Sequence, residues 1–506
     1  MIFRIRDVRK YEQCPKKFYL SKKQETKGFP FVHFAYSLEE LAVQYLKLAP
    51  EELFTGRTGQ TTQETLTGFA DRTWLMRGRF EAKQLRAKIS FLKKVTEPCT
   101  LHAMYEEGNW LVVDYMVLCK TNFPKEEEGR RIALEIWLLK ECGIAVRNLQ
   151  MLHLNSTYVF EEKLDPSQLF GISQTVFKDN NKAGKELWAV VEKYYHDVTE
   201  TLLAMEAILQ QDHVMMPYHL NCTKHGKCEF YETCFEEDAL PDDSILFLSQ
   251  SRKKYEMLEQ GISSMAQLNL DELQASYLQY AQYQTARTKQ VYVDYAALGH
   301  WLGKLEHPFS FIDFEWELIG VPLYHGMKPY DVLPFQYSLH YEEHGKIVHR
   351  EFLSAKDCRR DFIESLLAQM PSTGSIIAYH AEGAEKLRLK ELAEQFPEYA
   401  PALMKLCDRM VDLTYPFLNG VVYHPQMRGT YSLKKLLEVI EPDHNYQELE
   451  INHGLQAVQV HRMLPEMSFA EQQEAILNLK RYCAMDTYAM VVVMRYLNQL
   501  LEGHQA

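Results

Sequence analysis

The chain has 506 residues and a formal net charge of −13. That length exceeds what one hydrophobic core usually serves, so we expect two or three domains. The negative charge argues against a coating, sequence-independent nucleic-acid binder, but it allows an enzyme whose carboxylates hold divalent metals. We find neither an apolar run long enough to span a membrane nor an N-terminal signal region. We therefore expect a cytoplasmic protein without membrane association, whose cysteines stay reduced or bind metal.

The first 240 residues mix helical and strand-like segments. Apolar residues at helical spacing predict helices over 38–50, 130–144 and 185–211, the second ending near Gly143. Short apolar segments predict strands over 109–118 and 148–160.

Four cysteines stand in a one-plus-three arrangement. Cys14 lies in YEQCPKKFYL, and Cys222, Cys228 and Cys234 lie in CTKHGKCEFYETC. A zinc ribbon would instead place its ligands in near pairs. The arrangement resembles the iron–sulphur staple of RecB-like nuclease modules, including those of the AddB and CRISPR-adaptation type. The resemblance implies a [4Fe–4S] cluster that clasps the two ends of one domain, with a boundary near residue 240.

Residues 241–305 are typical of a helical connector, with amphipathic helices predicted over 251–269 and 271–290. The sequence pattern from residue 306 to 506 is typical of an α/β arrangement. We predict strands at 309–315, 334–340 and 374–379, and helices at 358–370, 385–396 and 477–501.

Asp313 and Glu315 lie two positions apart in a predicted strand, directly after the apolar segment FSFI. Side chains at i and i+2 point to the same face of a strand. Burying two carboxylates there without a cation would cost much free energy. A D-x-E pair is common by itself, but its place in an apolar strand makes it a candidate metal site.

Tyr482 and Asp486 lie four positions apart in a strongly apolar predicted helix, and therefore on one helix face. Aspartate is a poor helix former and costly to bury. Two interpretations stay open: an exposed or capping carboxylate, and a metal ligand beside a tyrosine. Glu382 and Glu385, at the start of another predicted helix, are further candidates, although acids favour a first helical turn in any case.

The series of motifs resembles the DnaQ-like 3′→5′ exonucleases of the DEDD class, which have an RNase H-like fold. Asp313 and Glu315 match the strand D-x-E motif of that family. Tyr482 and Asp486 match its C-terminal motif in the tyrosine form. The segment GTYSLKKLLEVI, which begins at Gly429, resembles the helix that helps to build the substrate groove.

Glu385 takes the middle position of the motif series, where the family usually has aspartate, and Glu382 is its rival. The resemblance implies that Tyr482 orients the attacking water. It also implies two Mg²⁺ or Mn²⁺ ions, held by Asp313, Glu315, Glu385 and Asp486.

The N-terminal module departs from the PD-(D/E)xK pattern of RecB-like nucleases. Ser90 stands where aspartate is expected, Asp114 where glutamate is expected, and Met116 where lysine is expected; Glu135 lies near the place of a helical glutamine. Serine cannot carry a magnesium site, and methionine cannot polarise a phosphate or a water as lysine does. We infer a catalytically degenerate module, unless the segments are misaligned and Asp114 is simply a polar strand residue.

The whole pattern resembles a bacterial family that joins a RecB-like iron–sulphur module to a DnaQ-like domain. It predicts an α/β protein with a RecB-like restriction-endonuclease fold over 1–240, a helical connector over 241–305 and an RNase H-like domain over 306–506. The expected activity is metal-dependent 3′→5′ hydrolysis of DNA or RNA. Two other interpretations stay open: a non-catalytic nucleic-acid adaptor built from two nuclease folds, and a protein–protein hub in which the four cysteines hold zinc.

Overall fold

The computed structural model describes residues 1–24, 29–224, 227–236, 239–444 and 446–505, which form a mixed α/β fold. The strands are β1 (Phe3–Arg4), β2 (Val32–His33), β3 (Leu53–Thr55), β4 (Trp74–Ala82), β5 (Leu85–Lys94), β6 (Leu111–Leu118), β7 (Ile144–Leu154), β8 (Phe170–Ser173), β9 (Thr175–Phe177), β10 (Ala183–Glu186), β11 (Tyr292–Val293), β12 (Ser310–Ile319), β13 (Val332–Glu343), β14 (Lys346–Leu353), β15 (Ile376–Ala378), β16 (Met410–Asp412) and β17 (Val422–Tyr423).

The helices extend over both halves of the chain. They are α1 (Ile5–Gln13), α2 (Pro15–Lys23), α3 (Leu38–Tyr45), α4 (Thr62–Phe69), α5 (Glu126–Glu141), α6 (Pro166–Leu169), α7 (Leu187–Tyr195), α8 (Val198–Leu209), α9 (Tyr231–Cys234), α10 (Lys254–Glu259), α11 (Leu270–Leu273), α12 (Tyr277–Thr288), α13 (Tyr295–Leu302), α14 (Arg359–Gln369), α15 (Glu385–Gln395), α16 (Ala400–Arg409), α17 (Tyr415–Leu418), α18 (Leu433–Ile440), α19 (Gly454–Met463) and α20 (Phe469–Gln505).

The first large sheet has the strand order β3-β4-β5-β6-β7-β8, with β1 added parallel to β5. Strands β4, β5 and β6 are antiparallel neighbours, whereas β6 and β7 run parallel. The crossover between those parallel strands contains α5, whose apolar residues are buried against the sheet. As predicted, α5 ends just before Gly143, whose positive φ of 78° is a conformation that glycine adopts without strain.

The second large sheet has the order β14-β13-β12-β15-β16. Strands β12, β13 and β14 are successive antiparallel neighbours, and β15 and β16 continue the sheet on the other side of β12 in parallel. On that side, Ser310 and Phe311 pair with β15, while Leu318 and Ile319 pair with β2. Among the described residues, no strand pairs with the middle of β12 on that side, where the backbone N–H of Phe314 instead donates to the Glu385 carboxylate.

Helix α20 packs along β12 and β13 and against α18 and α19. Residues 489–494 are buried without interruption, and the side-chain amide of Gln336 donates a buried hydrogen bond of 3.0 Å to the carbonyl of Leu479. These contacts fix the rotation and height of α20 over the sheet. Among the described residues, no helix is both long and apolar enough to cross a membrane.

The predicted strands and helices of the C-terminal half correspond to β12, β13, β15, α14, α15 and part of α20. The single helix predicted over 185–211 is wrong, because the chain breaks at His196–Asp197 into α7 and α8. The two pieces pack on different partners: α7 on α5, and α8 on α1 and α2. Within 241–305 the helices are shorter than predicted, since Gln274, with a left-handed φ of 52°, ends α11 before α12 begins.

Glu317 is a third carboxylate on β12, two residues beyond Glu315, and it is buried. Burial raises its pKa, but hydrogen bonds and charge from His33 and Arg462 together hold that pKa below its ordinary value. The Arg462 guanidinium also donates to the carbonyls of Pro30 (3.0 Å) and Phe31 (3.2 Å). Arg462 thus joins the segment before β2 to the second sheet.

We expect Arg462→Ala to lower the free energy of unfolding by about 2 kcal/mol or more, because it leaves the Glu317 carboxylate buried without its strongest partner. The measurement is the midpoint of urea unfolding at neutral pH. Arg495→Ala, which truncates an exposed arginine on α20, is the matched control and should have little effect. Equal midpoints for the two variants would contradict this account of Glu317.

Candidate metal centre

Three carboxyl groups from β12 and α20 meet at one point. Asp313, Glu315 and Asp486 each offer an oxygen, and these oxygens lie within 4.8 Å of one another. Asp313 and Glu315 share a face of β12 because they are two residues apart. Asp486 reaches them from α20, which crosses that face. Among the described residues this is the one set of three His, Cys, Asp or Glu ligand atoms that is so compact.

Glu385 lies beside this trio, at the first residue of α15, and is 2% exposed. One of its carboxylate oxygens is buried and has no hydrogen-bond partner. Its charge contributes to raising the pKa of both Asp313 and Glu315. Glu382, the rival for the middle position, is instead exposed and pairs with Lys386 at 2.6 Å. The fold therefore brings Glu385 to the site and leaves Glu382 at the surface.

Two tyrosines surround Asp486. Tyr482 lies one helical turn earlier and is 4% exposed. The hydroxyl of Tyr446 donates a buried hydrogen bond of 2.6 Å to Oδ1 of Asp486. Burial, and then the charge of Asp486, raise the pKa of both phenols far above the ordinary value, so both keep their protons. Each can act as a hydrogen-bond donor and neither as a base.

A lysine and a glycine complete the wall of the site. The ammonium of Lys434 lies 4.9 Å from the ring centre of Tyr446 and 5.1 Å from that of Tyr482. A Cβ atom added at Gly454 would stand 3.8 Å from a carboxylate oxygen of Glu315 and 3.9 Å from the Tyr482 hydroxyl. Glycine at this position keeps the space beside both groups open.

The crowded carboxyl groups oppose one another's ionisation. Burial first, and then the charge of Asp486, raise the pKa of Asp313 and Glu315 well above their ordinary values. Burial raises the pKa of Asp486 to about 6, although hydrogen bonds from the two tyrosines lower it. Burial also raises the pKa of Glu385 to about 8. A divalent cation at this point would reverse these shifts by stabilising the ionised forms.

Sequence reasoning missed Tyr446 and Asp412. Tyr446 lies in a 3₁₀ turn and has no pattern that would connect it with Asp486. Asp412 ends β16, where its Oδ1 accepts hydrogen bonds from the backbone N–H groups of His380 (3.1 Å) and Thr414 (2.9 Å). Lys434 did carry a signal, because it lies in the SLKKLL segment assigned to the substrate groove.

The four candidate cluster ligands line one small cavity of about 30 Å³: Cys14, Cys222, Cys228 and Cys234. Asn221 ties the two parts of the chain together, since its side-chain amide donates to the carbonyl of Gln13 at 2.8 Å. Among the described residues, no three cysteine sulphurs lie within 4.8 Å of one another. A single Zn²⁺, with Zn–S bonds of about 2.3 Å, would hold its four sulphurs within about 4 Å.

The N-terminal candidates do not share a site. The Asp114 carboxylate pairs with the Arg147 guanidinium, with an Nε–Oδ1 distance of 2.8 Å. The buried Glu135 accepts a hydrogen bond of 2.7 Å from Tyr115, the residue after Asp114 on β6. Neighbouring strand residues point to opposite faces, so Asp114 and Glu135 lie on opposite sides of the sheet. Asp114 and Glu135 therefore do not contribute to one common site.

Ser90 and Met116 are half-buried in β5 and β6, and Arg131 neutralises Glu135 at 2.7 Å. Asp114 and Glu135, the carboxylates that could bind a metal in this module, are thus already paired with arginines.

Comparison with known proteins gives a family match without an assigned activity. Residues 310–432 match a domain of unknown function (DUF2779). A segment covering 25% of the chain is 28% identical to an uncharacterised protein of Ureaplasma parvum, and one covering 30% is 28% identical to an uncharacterised protein of Mycoplasma genitalium. The matched segments span 21% and 24% of those relatives' own lengths. No solved structure matches the chain.

We expect the stability of the metal-free protein to fall as pH rises from 5 to 8. The folded-state pKa values of the four site carboxyls are raised, to about 6 for Asp486 and about 8 for Glu385, so their protonated forms favour folding and that contribution is lost as pH increases. Mn²⁺ should raise the melting temperature more at pH 8 than at pH 5, because it binds the ionised carboxylates.

Thermal melts in EDTA and in Mn²⁺ at the two pH values make this measurement. Asp313→Asn should reduce both the fall with pH and the gain with Mn²⁺, whereas Asp443→Asn, at an exposed position, should change neither. A Mn²⁺ effect that is the same at both pH values, or unchanged in Asp313→Asn, would contradict the assignment of the metal centre.

Proposed function

We propose that the chain is a metal-dependent 3′→5′ exonuclease whose catalytic site lies on the second sheet. The observation that carries this proposal is the convergence of Asp313, Glu315 and Asp486, with Glu385 and Tyr482 beside them. The strand order, antiparallel on one side of β12 and parallel on the other, is compatible with an RNase H-like fold. An adaptor that never binds metal would have no physical reason to keep three buried acids and a half-buried fourth at one point.

The donor set fits hard divalent cations. Carboxylate oxygens are the ligands that Mg²⁺ and Mn²⁺ prefer, and the partnerless oxygen of Glu385 provides a further donor. Two such ions, when bound, would generate the attacking hydroxide and neutralise the charge that develops on the phosphodiester. Asp313, Glu315, Asp486 and Glu385 would hold them.

The other residues of the site position water and substrate. The protonated Tyr482 hydroxyl would orient the attacking water by a hydrogen bond, and Tyr446 holds the carboxylate of Asp486 in place. Lys434 brings a positive charge close to the acids. In water-excluding surroundings such fixed groups act without reorganising during the reaction.

For residues 1–240 we propose a RecB-like module that has lost its own metal site and keeps a [4Fe–4S] cluster as a clasp. The four cysteines line one cavity although Cys14 lies about two hundred residues from the other three, as a clasp between the two ends of the module requires. The proposed division into this module, a connector over 241–305 and an exonuclease domain over 306–506 follows the two sheets, except that β2 joins the second one.

We expect the purified protein, with Mg²⁺ or Mn²⁺, to convert a 5′-labelled oligonucleotide into a ladder of progressively shorter labelled products. An oligonucleotide whose 3′ end is protected should not be shortened in this way. Asp313→Asn should abolish this activity because it weakens the binding of the metals. Tyr482→Phe should retain metal binding and lose about 10²-fold in turnover, since only the water-orienting hydroxyl is removed.

Asp114→Ala is the control for the N-terminal module and should leave the rate unchanged. Degradation that survives Asp313→Asn and disappears with Asp114→Ala would overturn the proposal. Protein that binds DNA or RNA but degrades neither with either metal would favour the adaptor interpretation.

We expect anaerobically purified protein to be brown, with absorbance at about 400 nm and about four irons per chain. Cys14→Ser should lose most of the iron and acid-labile sulphide and destabilise residues 1–240, because it opens the clasp. Cys99→Ser, at an exposed cysteine, is the matched control. Stoichiometric zinc in protein prepared without oxygen, and no iron, would contradict the cluster assignment.

A further inference from the structure

A second large groove lies on the first sheet, far along the chain from the acidic residues. It has a volume of about 920 Å³ and is formed by β4, β5, the start of α1 and the loop that leads into α4. Its cationic lining residues are Arg4, Arg6, Arg79, Arg86 and Lys88, and Glu81 is the carboxylate among the lining residues. This concentration of positive charge stands out in a chain whose net charge is −13.

Most of these cations are available to a ligand. Arg4, Arg6 and Arg86 are exposed, and among the described residues no carboxylate pairs with their side chains. Lys88 is engaged with Glu39 at 2.8 Å. Arg79 donates to the hydroxyl of Thr58 at 3.2 Å through one terminal nitrogen, while its Nε is buried and has no partner. A buried N–H without an acceptor calls for a group that the protein does not supply.

The loop between β3 and α4 offers neutral donors at the same groove. Thr58, Gln60 and Gln63 line it, together with Gly59, whereas the N–H and the hydroxyl of Thr61, a further lining residue, already donate to Glu64. A Cβ added at Gly59 would meet no atom within 4 Å, so a ligand can approach this stretch of backbone closely. Arginine guanidinium groups with hydroxyl, amide and backbone donors are the combination that contacts phosphates in nucleic-acid complexes.

We infer that this groove binds the sugar–phosphate backbone of double-stranded nucleic acid. Proteins that hold single strands stack the bases on exposed aromatic side chains. The aromatic residue in this lining is Phe80, and it is buried. Contacts limited to phosphates fit a duplex, whose bases are already stacked on each other. The groove would thus hold the duplex part of a nucleic-acid substrate. That the ligand is a nucleic acid rests on the proposed function, whereas the assignment of an anion-binding site does not.

The test is binding of the full chain to a fluorescent 20-base-pair DNA duplex, the matching RNA duplex and the single strands, by anisotropy in EDTA. Without metal, no hydrolysis occurs, so the result does not depend on the proposed exonuclease. Arg6→Glu with Arg86→Glu should weaken duplex binding by about tenfold or more at low salt and reduce the slope of log Kd against log salt by about 2. Arg252→Glu with Lys253→Glu, two exposed residues of the connector, changes the net charge equally and should weaken binding less than about twofold.

Each outcome decides the question. Equal weakening by both double variants would mean that general charge, and not the groove, controls binding. Wild-type affinity in the groove variant, tighter binding of single strands than of duplex, or equal competition by anionic phosphatidylserine vesicles would also overturn the inference. If thermal melts show that the glutamate variant is unfolded, Arg6→Gln with Arg86→Gln makes the same comparison with neutral residues.

Discussion

The organising constraint of the second sheet is the accumulation of negative charge where α20 crosses β12. Four carboxyl groups lie there, three of them buried and Asp313 half-buried, and burial together with the charge of Asp486 raises the cost of ionising Asp313, Glu315 and Glu385. The fold maintains this arrangement through apolar contacts along α20 and through the hydrogen bond from Gln336 to that helix. A protein core would ordinarily avoid such a cluster, and this is the observation behind the proposed metal centre.

The same strand also contains a buried acid that is stabilised by ion pairs within the protein. Glu317 follows Glu315 on the same face, but arginine and histidine side chains neutralise it. One end of β12 is thereby closed by internal ion pairs, while its middle remains short of positive charge. Glu315 and Glu317 differ in whether an ion pair within the protein neutralises the carboxylate. This difference, and not the number of acids, distinguishes the structural part of the strand from the candidate metal centre.

The convergence of Asp313, Glu315 and Asp486 was expected from the resemblance to DnaQ-like exonucleases. Spacing in the sequence was sufficient only to place Asp313 with Glu315 on one strand face and Asp486 with Tyr482 on one helix face, because strand and helix periodicity are local. It was not sufficient for Tyr446, which reaches Asp486 from an irregular segment, or for the pairing of β2 with β12, which joins distant parts of the chain. The N-terminal candidates show a related limit of sequence patterns. Residue types can be matched to a motif without knowing which face of the sheet each one occupies, and Asp114 and Glu135 occupy different faces.

The pairing of Val32 with Leu318 has a consequence for biosynthesis. The ribosome synthesises β2 long before β12. Strand β2 therefore has no partner strand while the whole first sheet and the connector are synthesised. Closing so large a loop is slow compared with forming local helices and hairpins. Completion of the second sheet therefore comes late, and a nascent chain that stops before β12 has neither the complete sheet nor the acids of the candidate metal centre.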